Sequence, residues 1–183
     1  MDRSVGIVFR HVSFSLRRVG IVSSASYRHF RNKDELLDAV LDYVQQRLLG
    51  NVKKVSDQTA EPLEQLKRLI ALHVRLILEH QALPRILFSE EVYGGRPEKK
   101  AKLYAIIKGY LAEVASIVRQ GQQENRIRPE LNPDTVSIMY LGLIQAPAIL
   151  WHLSGGGFDV AKHVERAWPV FSEAISSKGS LKI

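Results

Sequence analysis

From Thr135 to Phe158 the chain carries no Asp, Glu, Lys or Arg, and Val136–Leu153 is largely apolar. This stretch constrains the fold more than any other. Its length is near the minimum for a bilayer span. Ser137, Gln145, Pro147 and His152 interrupt it, and no second stretch of this kind exists. A helix buried at a protein interface therefore explains it better than a membrane segment. Such a helix needs other helices beside it.

Those helices are legible in the spacing of apolar residues. Asn32 is placed to cap a helix, and Glu35 three residues on completes a capping-box pattern. Leu36, Leu37, Val40, Leu41, Val44 and Leu48 follow at helical spacing, and the pattern weakens at Gly50 and Ser56-Asp57. A second helix begins at Pro62 and fades near His80-Gln81. Pro84 starts a short third one, and Tyr93–Arg96 forms a turn. Residues 97–124 form a long helix with a broad apolar face. Asn132 and Pro133 open the charge-free helix, and Ser154-Gly155-Gly156-Gly157 closes it. Pro147 is expected to kink it or to leave a carbonyl unpaired. Asp159 caps a last helix, which Pro169 is expected to interrupt. The fold class is all-α. One segment departs from this pattern: His11–Arg17 alternates polar and apolar residues, the period of a strand.

Charge is unevenly spread. Of 26 Lys+Arg and 19 Asp+Glu, residues 1–33 hold seven basic residues and one acid. The rest of the chain is nearly neutral. A basic end on a neutral body points to a polyanionic partner, nucleic acid in the first place. The absence of cysteine excludes a disulfide scaffold, a Cys-based zinc site and a thiol nucleophile. No secretory leader is visible near Val5–Phe9, so a cytoplasmic location is expected. The chain has no Glu-x-x-His pair, and its six histidines form no metal-ligand spacing. Neither a phosphate loop nor a nucleophile elbow is present. No catalytic residue, metal or cofactor is expected.

The densest motif is Tyr27-Arg28-His29-Phe30-Arg31-Asn32-Lys33-Asp34-Glu35-Leu36-Leu37, with Gly20, Ser23, Ser24 and Ser26 upstream. Small hydroxyl residues, then aromatics, then a lysine at a helix start suit a short helix laid on DNA. The run resembles the end of the helix-turn-helix in TetR-family transcriptional regulators. Tyr27, His29, Phe30, Lys33, Leu36 and Leu37 carry the likeness. The sequence departs from the family pattern at Ile21, Val22 and Ser26. Met1–Val19 does not read as the two helices that precede this run in the family, so the first helices of the module are expected to be atypical or incomplete.

The resemblance implies a DNA-binding helix-turn-helix module over residues 1–50 and an effector-binding and dimerisation domain over 51–183. It implies a repressor that binds operator DNA as a homodimer, with no membrane partner, and is released by a small hydrophobic or aromatic effector. The alternative is a ligand-binding helical dimer that has lost sequence-specific DNA binding. Ser24, Tyr27, Arg28, His29 and Lys33 are the candidate DNA contacts. His73, Ile77, Phe88, Tyr104, Ile107, Tyr110, Leu111 and Tyr140 are the candidate effector contacts, apolar walls with a few polar tips. Leu141, Ile144, Ile149, Trp151, Val164, Trp168 and Phe171 supply apolar surface on the last two helices and are the candidate dimer face.

Overall fold

A computed structural model describes residues 32–80, 82–87, 89, 92 and 97–177. The strand-like segment at 11–17 lies outside them. Helix α1 spans Lys33–Gln58. The Asn32 carboxamide oxygen accepts a hydrogen bond from the Glu35 amide at 2.9 Å, and Asp34 and Glu35 place negative charge in the first turn. The stripe from Leu36 to Leu48 is buried. The helix does not stop at Gly50. A Cβ there would meet nothing within 4 Å, and Val52 and Val55 extend the buried stripe another two turns. Glycine in a helix costs about 1 kcal/mol, and two buried valines outweigh that.

Helix α2 spans Pro62–Glu79, with proline at the first helical position and the Glu61 carboxylate accepting from the Glu64 amide. Leu66, Leu69, Ile70, His73, Val74, Leu76 and Ile77 are buried along it. Helix α3, Ala82–Leu87, begins two residues before Pro84. The proline sits in the first turn, where its missing N–H has no intrahelical partner.

Helix α4 spans Pro97–Gln123. It ends on Asn125, whose φ of 56° is left-handed. The Arg126 amide reaches back to the Gly121 carbonyl at 2.8 Å and the Asn125 amide to the Gln122 carbonyl at 3.1 Å, the Schellman pairing. Gly121 is required there. A Cβ would lie 2.6 Å from Ile127 Cδ1 and 3.2 Å from Pro62 Cβ. The Gln122 amide braces the following loop, donating to the carbonyls of Arg128 at 3.0 Å and Leu131 at 2.7 Å.

Helix α5 spans Pro133–Leu153 and runs on through Pro147. Asn132 caps it, accepting from the Thr135 amide at 2.9 Å. A second Schellman pairing ends it: the Gly156 amide bonds to the Trp151 carbonyl and the Gly155 amide to the His152 carbonyl, with Gly155 at φ 64°. Helix α6 spans Val160–Ile175, with Asp159 accepting from the Lys162 amide at 2.9 Å. Pro169 does not interrupt it. The carbonyl four residues back belongs to Glu165, an exposed residue, and Pro169 is itself exposed, so the freed acceptor lies away from the core stripe. α5 and α6 pack together through Tyr140, Trp168 and Phe171. An antiparallel bridge of Ile127 with Ser176 ties the end of α6 to the α4–α5 loop.

The chain divides into two compact units that are not collinear with the sequence. Among the described residues, unit 1 holds 32–47 and those of 76–106, and unit 2 holds 48–75 and 107–177. The described core of unit 1 includes Leu36, Leu41, Leu83, Ile86, Leu103 and Ile106. That of unit 2 is built on Leu66, Ile70, Val114, Val118, Tyr140 and Ile144. Among the described residues, α5 is the one helix long and apolar enough to cross a bilayer, and a third of its most apolar window (33%) is buried inside the chain.

Candidate functional site

Inside unit 2 three polar side chains from three helices meet in an apolar core. His73 of α2 has its Nδ1 3.3 Å from the Tyr110 hydroxyl of α4, and the rings meet edge-on at 5.3 Å. The Tyr110 hydroxyl is close enough to that of Tyr140 of α5 for each to influence the other's pKa. The Tyr140 hydroxyl donates to the Leu66 carbonyl at 2.9 Å, a backbone acceptor. Burial pushes the His73 imidazole down to about 4 and holds both tyrosine hydroxyls well above their ordinary value. All three are neutral at physiological pH. Such a network is stable because each buried polar atom in it has a partner.

Inside unit 1 a second histidine is held differently. The Tyr43 hydroxyl of α1 lies 2.8 Å from His80 Nε2, with the rings edge-on at 5.4 Å. The other ring nitrogen of His80, Nδ1, is buried without a hydrogen-bond partner. Burial lowers the His80 pKa; the nearby Glu79 charge opposes this and Arg47 adds to it. In the same unit Lys99, buried on α4, pairs with Asp38 of α1 at 2.5 Å, and Lys102 pairs with Asp42 at 2.7 Å. The Lys99 hydrogen bond holds the Asp38 carboxyl below the usual carboxylate range.

The structure gathers three of the predicted effector contacts, His73, Tyr110 and Tyr140, into the unit 2 cluster. Ile107 and Leu111, also in unit 2, are half-buried. Ile77 is buried in unit 1, and Tyr104 in the same unit is 66% exposed. Phe88 lies outside the described residues. So do Ser24, Tyr27, Arg28 and His29 among the predicted DNA contacts, while Lys33 is the first residue of α1. Of the predicted dimer residues, Ile144, Val164, Trp168 and Phe171 are buried within the single chain. Leu141 and Trp151 are half-buried and Ile149 is exposed. Sequence reasoning passed over the large apolar residues that lie open: Ile138, Met139, Leu150 and Leu153 on α5 and Val170 on α6. It also passed over Tyr43 and His80; the signal available was that His80 stands seven residues, two turns, beyond His73. Among the described residues no group of three or more His, Asp or Glu side chains is arranged to hold a metal ion.

Residues 44–174, from the middle of α1 to the end of α6, match the TetR C-terminal family described as YsiA-like protein, C-terminal region. The chain belongs to the TetR family. This places it among transcriptional regulators, a family whose members are not enzymes. The TetR-family repressor KstR2 of Mycobacterium tuberculosis, described as an HTH-type transcriptional repressor, is 26% identical over 137 residues, 75% of this chain and 68% of that protein. The fatty acid metabolism regulator protein of Bacillus subtilis is 23% identical over 149 residues, 81% of this chain and 76% of that one. Solved structures give the same fold. The ketosteroid transcriptional regulator KstR2 superposes with a TM-score of 0.67 at 22% identity, covering 89% of this chain and 83% of its own. FadR from Bacillus subtilis, solved in complex with stearoyl-CoA, gives 0.65 at 20% identity, covering 90% and 88%.

Proposed function

We propose that this TetR-family chain is a cytoplasmic, homodimeric repressor that binds operator DNA through residues 1–50 and is released by a hydrophobic acyl thioester held in residues 51–183. The observation that carries the reading is the family match from α1 to α6, the region that follows the DNA-binding module in such regulators. The bacillary regulator solved with stearoyl-CoA supports the acyl class of effector. The open apolar residues of α5 and α6 support the dimer. Ile138, Met139, Ile149, Leu150, Leu153 and Val170 are six large apolar side chains left open on two helices that pack together, more than singly scattered exposure accounts for. A second copy covering them makes a four-helix, isologous interface, and on this reading the membrane-length helix is an interface helix.

The test is fluorescence anisotropy on the DNA upstream of the gene, with a scrambled duplex, a salt series and stearoyl-CoA. Binding that prefers the upstream DNA by about 10³-fold and is released by the thioester is expected. Lys33→Ala should weaken binding on every duplex and reduce the salt slope by about one. Equal, weak binding to both duplexes would instead leave a ligand-binding dimer without sequence-specific DNA recognition.

A further inference from the structure

Two histidines lie buried seven residues apart, His73 within α2 and His80 just past its end, and their surroundings differ in one respect. The His73 Nδ1 is partnered by the Tyr110 hydroxyl, beside a second buried tyrosine that is satisfied by the Leu66 carbonyl. His80 is 6% exposed, and its bonding stops at the ring. The Tyr43 hydroxyl lies 2.8 Å from His80 Nε2, and which of the two donates follows the tautomer of the ring. The other ring nitrogen, Nδ1, is buried and has no hydrogen-bond partner. Leaving a buried polar atom unpaired costs more than a made hydrogen bond returns, and in a native protein such a group needs a reason. A purely structural position two turns from His73 would be better filled by an apolar side chain, as at Leu76, Ile77, Leu83 and Ile86, all buried nearby in the sequence.

We propose that the Tyr43 hydroxyl donates to His80 Nε2, which puts the ring proton on Nδ1, and that this pair of unit 1 is the polar anchor of the effector, with the Nδ1–H donating to a carbonyl oxygen of an otherwise apolar ligand, as in an acyl thioester. The proposal rests on the effector reading above and adds to it the residue that recognises the ligand's one polar group. Tyr43 acts as a positioning residue: its hydroxyl fixes the ring and the tautomer, so the donor faces the ligand before it arrives. Burial keeps the ring neutral, which suits an uncharged carbonyl rather than a carboxylate.

The discriminating probes are stearoyl-CoA and its thioether analogue S-octadecyl-CoA, which has the same chain and headgroup but no carbonyl. Calorimetry on the full-length wild type should show the thioester bound roughly tenfold or more tighter. His80→Phe should bind the two equally, with thioether affinity within about twofold of wild type. In ¹⁵N-histidine-labelled wild type the His80 Nδ1–H resonance should move on adding the thioester and not on adding the thioether. This measurement decides the matter if the phenylalanine variant does not fold. Equal binding of both probes by the wild type, a preference that survives in His80→Phe, or an unmoved His80 signal would each overturn the anchor and leave the effector reading standing. The last result would mean that a buried water, not a ligand, meets Nδ1. Binding of neither probe by the wild type would overturn the acyl-effector reading and the anchor together.

Discussion

His73 is neutral because burial removes the water that would solvate an imidazolium, and this makes it a source of acid sensitivity. The folded chain protonates it at about 4 and the unfolded chain near 6.5. Between those values the unfolded state binds more protons, so stability is complete above pH 6.5 and is lost as pH falls toward 4. The full shift corresponds to about 3 kcal/mol. His80, also lowered by burial, acts in the same direction. Asp38, whose folded pKa lies below 3.8, contributes stability above that pH which is lost only in stronger acid, outside this window. Urea unfolding at pH 7.5 and pH 4.5 separates these groups. His73→Gln should lose distinctly less stability between the two pH values than the wild type does. Equal losses would mean that the His73 ring is not what the acid attacks.

At the scale of the element, the helix ends are where local chemistry acts most visibly. Asn132 and Asp159 each satisfy an orphan amide of the first turn, of α5 and α6 respectively. Asn132→Ala and Asp159→Ala should each lower unfolding free energy by about 1 kcal/mol, read from denaturant midpoints at unchanged slope. Midpoints that stay at the wild-type value would show that water serves these amides as well as the side chains do. These caps were readable from sequence because a cap is a local pattern: an Asx residue just before a run at helical spacing, reinforced at Asn132 by the proline that follows. The glycine-based end at Ser154–Gly157 was readable for the same reason. Other features were not. Gly50 reads as a weak point, yet α1 passes it because Val52 and Val55 find burial that only tertiary packing provides. Pro169 reads as a break, yet it lies on the exposed side of α6, away from the core stripe. In α5 nearly every position is apolar, so periodicity carries no phase and cannot say that Ile144 faces in while Ile149 faces out. The polar cluster in unit 2 joins residues from three helices. Each was conspicuous as a polar tip on an apolar stripe, but their meeting is a matter of fold. His80 was overlooked because it stands where the stripe fades, and an unpaired nitrogen has no sequence signature.

At the scale of the whole molecule, the open apolar residues of α5 and α6 make an oligomer prediction. If a second copy covers them, Leu153→Glu combined with Val170→Glu places four charges in the interface of the dimer. The mass measured by sedimentation should then move from twice 20.7 kDa toward 20.7 kDa. The far-ultraviolet helical signal should persist, because neither residue is in the core of the single chain. A variant that keeps the dimer mass would place the interface elsewhere.

The two corners that flank α5 differ in how tightly they are stitched, and this bears on where the molecule can be opened by engineering. The corner before it is bound by the Gln122 amide, by the Ile127–Ser176 bridge and by the Arg128 guanidinium on the Ala174 carbonyl at 3.1 Å. The corner after it, Ser154–Gly157, is exposed, and the bonds it makes run back to its own helix, within itself, or to the adjoining Phe158 amide. A reporter domain spliced between Gly156 and Gly157 should be tolerated, while the same insert between Arg128 and Pro129 should abolish soluble expression. The first corner is a seam that closes the fold, and the second is a permissive port through which a biosensor could be wired to it.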